Sequence, residues 1–214
     1  MNDPVLQMTG IILAGGKSSR MGADKSLLVL NGRPVISHMH SLLSNVFSRM
    51  LVITNKPEQF RFLGVPCATD IFEDAGPLGG IHAGLVHSGS ERNFIIACDL
   101  LLMSQEMIHH LATIETHHPI TLAGSDGTIH YLCGVYKRQC LNEAEALLRN
   151  RADAMRGGEP QRPDAVSMHA LCMRTGVEVI DPTTLPFAAP DLFFNMNRPE
   201  DFQYVARRLD GVTY

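Results

Sequence analysis

Nowhere does the chain run to the roughly 18 consecutive apolar residues that a membrane-crossing helix needs. Its first ten residues, MNDPVLQMTG, also lack the basic start and long apolar stretch of an export signal, so a cytoplasmic protein with no membrane partner is expected. Surplus positive charge is missing too. The 18 Lys and Arg against 22 Asp and Glu leave a formal charge of -4, which argues against nucleic acid as a partner and means that any bound anion must meet a local cluster of cations. The five cysteines (Cys67, Cys98, Cys133, Cys140, Cys172) form no C-x-x-C pair, so neither a disulfide framework nor a structural zinc site is indicated and all five read as reduced thiols. Ten histidines include no H-E-x-x-H, and the neighbours in His109-His110 and His117-His118 point apart on a helix. Internal repeats and low-complexity tracts are absent as well. What remains is an ordinary globular composition, 45% hydrophobic and 19% charged over 214 residues. A chain of that length is enough for one α/β domain that buries about 70% of its extended surface.

Short β-branched runs alternate with helical patterns, the mark of βαβ units and a mainly parallel sheet. Strands are expected at Thr9 to Leu13, Met50 to Thr54, Val65 to Thr69 and Asn93 to Ala97. A helix opened by Pro34 places Val35, Met39, Leu42, Leu43, Val46 and Phe47 on one face. Met107, Ile108, Leu111 and Ile114 repeat the pattern behind Ser104, the expected N-cap. After residue 118 the text PITLAGSDGTIHYLCGVY reads as a β-hairpin turning through Ser125-Asp126-Gly127, with a helix from about Gln139 to Asn150 behind it. Arg151 to Asp164, with two prolines and a glycine pair, is expected to be a loop. Right-handed crossovers then layer the helices on the sheet, giving a Rossmann-like α/β class with three layers, α/β/α, and a hairpin insertion.

The chemistry concentrates in GIILAGGKSSRMGADKSLL, residues Gly10 to Leu28. A Walker A loop ending in Gly16-Lys17-Ser18 requires glycine at position 11, where Ile11 stands, and Gly15-Gly16-Lys17 breaks a G-x-G-x-x-G fingerprint. What remains is a strand end, Ala14-Gly15-Gly16, followed by Lys17, Arg20 and Lys25. Glycines let backbone N–H groups converge on an anion or a flat ring, and the cations neutralise several negative charges together. That suits a nucleoside triphosphate at the carboxyl end of a parallel strand. Asp99 follows the apolar run NFIIAC and should project from the same edge, where one carboxylate suffices to help hold Mg²⁺ on phosphate oxygens. Asp70 ends the preceding strand, ahead of GPLGGIHAGL, whose glycine-rich helix start can present backbone groups to a ligand.

These residues resemble the molybdenum cofactor guanylyltransferases, the MobA family. The likeness rests on LAGGKSSRMGADKSLL, on TD followed by GPLGGIHAGL, on CDL at Cys98 to Leu100, and on NMNRPEDF near the end. Their order and spacing cover most of the chain. The resemblance implies one nucleotidyltransferase domain over residues 1–214 that transfers GMP from GTP to the phosphate of molybdenum-loaded molybdopterin and releases pyrophosphate. It implies Mg²⁺ as cofactor on Asp99, with Lys25 and Arg20 as catalytic cations and Lys17 a weaker candidate. Leu13, Ala14 and Gly15 would contact the nucleotide through their backbone, Lys25 its phosphates, and Asp70 the guanine site. Asn195 and Asn197 match the family's pair on the pterin side. Partners would be the two substrates and other cofactor-biosynthesis or target enzymes, with a monomer expected.

Within the superfamily, relatives that use CTP read LAAG and carry aspartates in the late motif. Gly15 and the amides Asn195 and Asn197 therefore favour GTP, although Asn197, with Pro199 and Glu200 behind it, also reads as a helix N-cap. The chain departs from the family at Leu101 and Tyr131, where proline is usual, and at Ile53, where asparagine is usual and only Asn55 can stand in. On sequence alone two rivals stay open. One is a same-fold transferase using CTP or a sugar or lipid phosphate; the other is a silent nucleotide- or cofactor-binding protein.

Overall fold

The apolar run Thr9–Leu13 forms β1, every residue of it buried. It lies between two parallel neighbours, β4 (Arg49–Ile53) and β6 (Arg92–Ala97), with the two-residue β5 (Cys67–Ala68) beyond β4. A computed structural model describes residues 4–15, 24–125, 127–156 and 167–209. Beyond β6 the sheet turns antiparallel through β8 (Thr128–Lys137) and β7 (Ile120–Ser125), and closes on β9 (Val177–Ile180), parallel to β7. The full order is β5-β4-β1-β6-β8-β7-β9. A separate small ribbon pairs β2 (Val29–Leu30) with β3 (Arg33–Pro34).

Strand residues alternate between two faces, and the two hydrophobic clusters follow that alternation. Ile12, Val52, Phe94 and Ile96 face one core with α1 (Val35–Ser44), α3 (Gln105–Thr113) and α6 (Pro199–Leu209). Ile11, Leu13, Leu51, Ile53 and Ile95 face the other with α2 (Gly76–Ser88), α4 (Leu141–Arg156) and α5 (Met168–Thr175). Burying each such side chain contributes about 1.5–3 kcal/mol. The three-layer, mainly parallel α/β architecture with a hairpin is the one expected. Gly84 lets α2 lie close to β1, because a Cβ there would stand 3.1 Å from Ile11 Cδ1. No helix among the described residues is long and apolar enough to cross a membrane.

Several local expectations are refined. Ser104 caps α3 as read, its hydroxyl accepting from Met107 N at 3.1 Å. The strand expected at Val65 to Thr69 shrinks to Cys67–Ala68. α1 ends at Ser44, yet Phe47 remains buried because its N–H donates back to Leu43 O at 2.8 Å. The largest correction concerns Arg151 to Asp164: residues through Arg156 continue α4, while positions 157–164 and the hairpin residue Asp126 lie outside the described residues. Leu, Ala, Glu, Arg and Met dominate Leu141 to Arg156 with no glycine or proline among them, and Glu145 and Arg149 pair at i,i+4.

Candidate active site

The register of the parallel strands sets the site. Leu13 is level with Ile53 on one side and Ala97 on the other, so the segments after β1 and β6 leave the sheet side by side. Their backbones are tied across this edge. Ala14 N donates to Ile53 O at 2.9 Å and Cys98 N donates to Leu13 O at 3.2 Å. Ala14 is buried and Gly15 is exposed, with nothing within 4 Å of the place a Cβ would occupy. Asp99, two residues past Ala97, and Gly15, two past Leu13, thus leave neighbouring strands at the same level.

The chain returns to this edge at residue 24. Asp24 Oδ1 accepts from Ser26 N at 3.1 Å and from Ser26 Oγ at 2.6 Å, which caps a short 3₁₀ turn, Lys25–Leu27, and buries Ser26. That turn aims Lys25 across the edge. Its Nζ donates to Asp99 Oδ2 and, at 3.3 Å, to Asn197 Oδ1. Asp99 is 7% exposed, and its second oxygen, Oδ1, has no hydrogen-bond partner among the described residues. An orphaned carboxylate oxygen is costly unless something positive meets it, and a hard cation with oxygen ligands fits that need. No group of three or more metal-ligating side chains occurs among the described residues, so a cation here would take most of its ligands from phosphate and water. Cys98 is no rival nucleophile: burial and the adjacent Asp99 push its thiol up to about 12.

On the other side of Gly15, past the ends of β4 and β5, one and two strands away, Asn55 and Asp70 face each other. Asn55 Nδ2 donates to Asp70 Oδ2 and Asp70 N donates to Asn55 Oδ1, each at 3.4 Å. Asp70 Oδ1 lies 3.8 Å from where a Cβ on Gly80 would stand, beside the Leu13 side chain. Burial pushes the Asp70 carboxyl above its usual value, and the Asn55 amide partly opposes this.

The late motif divides. Met196 N donates to Asp99 O at 3.2 Å and stitches that segment to the end of β6. Asn197 reaches Lys25, but Asn195 does not join it: its amide turns back to Phe193 O at 3.3 Å. Nor does Asn197 cap α6. Asp201 does so instead, accepting from Asn197 N at 2.8 Å and from Arg198 N at 2.7 Å, which frees the Asn197 side chain for the edge. Lys17 and Arg20 lie outside the described residues.

Departures from the family pattern are absorbed by packing. Ile53 and Leu101 are each 2% exposed in the two cores, and Tyr131 sits on β8 with its hydroxyl 3.4 Å from His169 Nδ1. One flank of the edge escaped sequence reasoning altogether. His130 of β8 stacks on Phe193, with ring centroids 4.1 Å apart and planes 12° from parallel, and shares a 2.9 Å hydrogen bond with Ser125 Oγ. A histidine on a strand and a phenylalanine in a loop carry no motif.

Comparison with known proteins completes the picture. Residues 10–161 match the family described as the MobA-like NTP transferase domain. The molybdenum cofactor guanylyltransferase of Desulfosudis oleivorans is 32% identical over 200 residues, covering 92% of this chain and 93% of that protein. The crystal structure of molybdopterin-guanine dinucleotide biosynthesis protein A from Archaeoglobus fulgidus superposes with a TM-score of 0.76 at 20% identity, covering 96% of this chain and all (100%) of that one. The fold alone does not choose a base, since a 4-diphosphocytidyl-2C-methyl-D-erythritol synthase from Anaerococcus prevotii matches it with a TM-score of 0.65 at 11% identity, over 98% of this chain and 100% of that one. With the match over residues 10–161 and 32% identity along almost its whole length, the chain belongs to the MobA-like NTP transferase family, among the molybdenum cofactor guanylyltransferases.

Proposed function

We propose that this protein transfers GMP from GTP to the terminal phosphate of molybdenum-loaded molybdopterin, forming the guanine dinucleotide cofactor and releasing pyrophosphate. The observation that carries this reading is the Asp99 carboxylate at the sheet edge, bound to Lys25 on one oxygen and, among the described residues, without a partner on the other, beside Gly15. Asp99 would hold Mg²⁺, which when bound supplies neutralising charge to the triphosphate. Lys25 binds the phosphates, with Arg20 assigned the same task from sequence. Backbone groups of Leu13, Ala14 and Gly15 cradle the nucleotide, and Asp70, oriented by Asn55, accepts from the N–H edge of guanine. Asn197 holds Lys25 toward the reacting phosphates, and Asn195 remains on the acceptor side in sequence only.

The reaction asks for alignment and charge dispersal rather than covalent help. An acceptor phosphate oxygen attacks the α-phosphorus, a new P–O bond forms, the bond to the bridging α–β oxygen breaks, and that electron pair leaves with pyrophosphate. The acceptor phosphate is largely dianionic at neutral pH, so no general base is needed. The work of the chain is to keep acceptor, α-phosphorus and leaving group in line and to meet the developing charge with Lys25. Gly15 and the amide at Asn197 favour GTP over CTP: the first leaves space for a purine and the second supplies no additional anion.

Incubation with Mg²⁺ and each nucleoside triphosphate, with and without molybdenum-loaded molybdopterin, tests the proposal through pyrophosphate release. Release that needs both GTP and the acceptor supports it; faster release with CTP overturns the base assignment; no release with any pair overturns catalysis and leaves a binding protein.

Two smaller predictions concern the nucleotide. Gly15 is not in the left-handed region and its Cβ position is open, so Gly15→Ala should fold normally while crowding the ligand. The expected result is unchanged thermal stability with GTP affinity lowered about tenfold, roughly 1.4 kcal/mol, measured by calorimetry. Asp70→Asn replaces an anionic acceptor by an amide that presents a donor to the guanine edge. Losing a charge-assisted hydrogen bond costs ~2 kcal/mol, so preference for GTP over ATP should fall about 30-fold. The sign of the pH effect follows from burial. Asp70 takes up its proton at a higher pH than an ordinary aspartate, and guanine binds the carboxylate form, so GTP affinity should fall as pH drops through that raised value. In Asp70→Asn this acid limb should disappear, as followed by GTP titrations across the acidic range.

A further inference from the structure

We propose that the stacked rings of His130 and Phe193, pinned by Ser125, are the seat for the fused heterocycle of the acceptor, an inference that rests on the transferase reading above. Two independent routes place this pair at the reacting edge. Along the sheet, Cys133 of β8 is level with Ile96 of β6, and the strands are antiparallel. His130 therefore lies three residues beyond that level in the same direction as Asp99, at the same end of the sheet. Along the chain, Phe193 precedes by three residues the Met196 whose N–H is bonded to Asp99 O. Three residues of chain span at most about 10 Å, so the pair stands within that reach of the Asp99 backbone. This is a reach suited to a ligand whose phosphate meets Lys25 and Asp99 while its ring system lies further along the edge.

The chemistry of the pair suits a flat ring. Stacked nearly parallel, each ring covers one face of the other and leaves one outer face for a flat ligand, and both rings are only partly buried. The hydrogen bond shared between Ser125 Oγ and His130 Nε2 holds the imidazole, so its orientation is set before a ligand arrives. Nδ1 has no hydrogen-bond partner among the described residues and is available to a heteroatom of the ligand. Burial holds the His130 imidazole below its usual value, so at neutral pH an uncharged ring is presented. Heterocycles stack on such faces with sequence-tolerant strength, and removing one aromatic platform typically weakens binding by about tenfold or more. The assignment fills a gap, because Asn195, the residue expected to serve the acceptor together with Asn197, turns away.

The test compares wild type, His130→Ala and His130→Phe in the full-length protein. Two readouts are used: KM for molybdenum-loaded molybdopterin against KM for GTP, and binding of 6-hydroxymethylpterin monophosphate followed by its own fluorescence. His130→Ala is expected to raise the acceptor KM and weaken the pterin probe about tenfold, with GTP affinity within twofold of wild type. His130→Phe, which keeps a ring face, should return both acceptor readouts to within about threefold. Normal acceptor KM and probe binding in His130→Ala, an equal loss for GTP, or a Phe variant as weak as the Ala variant would each overturn the seat. Turnover that stays normal in every variant sinks the seat and leaves the transferase reading standing. Probe binding that depends on His130 in a protein with no GMP transfer supports the seat and sinks the transferase reading.

Discussion

Asp99→Asn is expected to lower kcat about 10³-fold while GTP binding measured without divalent metal stays within about threefold. The size follows from removing a preorganised source of transition-state charge stabilisation, about 4 kcal/mol in a site of this kind. Asparagine keeps the shape of aspartate and can still accept from Lys25 through its carbonyl oxygen, but it brings no negative charge to a cation. The fold should survive the change. Asp99 Oδ1 is already without a partner among the described residues, so an amide there loses no internal hydrogen bond, and Lys25 is exposed enough to meet water. Pyrophosphate release over a Mg²⁺ titration gives the measurement, with thermal melting as the control. Unchanged turnover would remove Asp99 from the metal role.

Lys25→Ala should act on both halves of the reaction, raising KM for GTP about 30-fold and lowering kcat about 10²-fold, since in the proposed role the cation would meet the phosphates in the ground state and in the transition state. A second consequence separates it from an ordinary surface change. Asp99 is 7% exposed and Lys25 is its side-chain hydrogen-bond partner. Leaving a buried carboxylate alone costs about 1–3 kcal/mol. For a chain of this size that lowers the melting temperature by about 2–4 °C for each kcal/mol. The double variant Lys25→Ala with Asp99→Asn should recover most of that loss, because the stranded charge goes with its partner. A Lys25→Ala protein that melts and turns over like wild type would exclude the lysine from the site.

How much of this was legible in the sequence depends on the range over which each feature is encoded. The edge itself was readable: Leu13 and Ala97 end apolar runs that pair in parallel, so the positions following them had to emerge together. The partner of Lys25 was not readable by pattern, because Asp99 lies 74 residues away and only the tertiary fold brings them within bonding range. Asn197 had two local fates, cap or cleft, and the decision came from Asp201, a competitor one turn further on that no capping rule ranked first. The extent of α4 was misplaced because the composition of Arg151 to Asp164 was weighed as a block, whereas residues 151–156 carry no glycine or proline and continue the helix. His130 and Phe193 stayed invisible for a simpler reason. Stacking depends on two ring planes, and neither is written in spacing.

The bond from Met196 to Asp99 has a consequence for how the protein comes into being. Lys25 is contributed early in the chain, Asp99 midway and Asn197 close to its end, so a nascent polypeptide can complete the parallel strands β1, β4 and β6 long before the last clamp on Lys25 exists. A product truncated after residue 161 would retain those strands and the hairpin yet lack β9, α6 and that clamp. The contact between Lys25 and Asn197 can thus form only after the segment that follows β9 has been made.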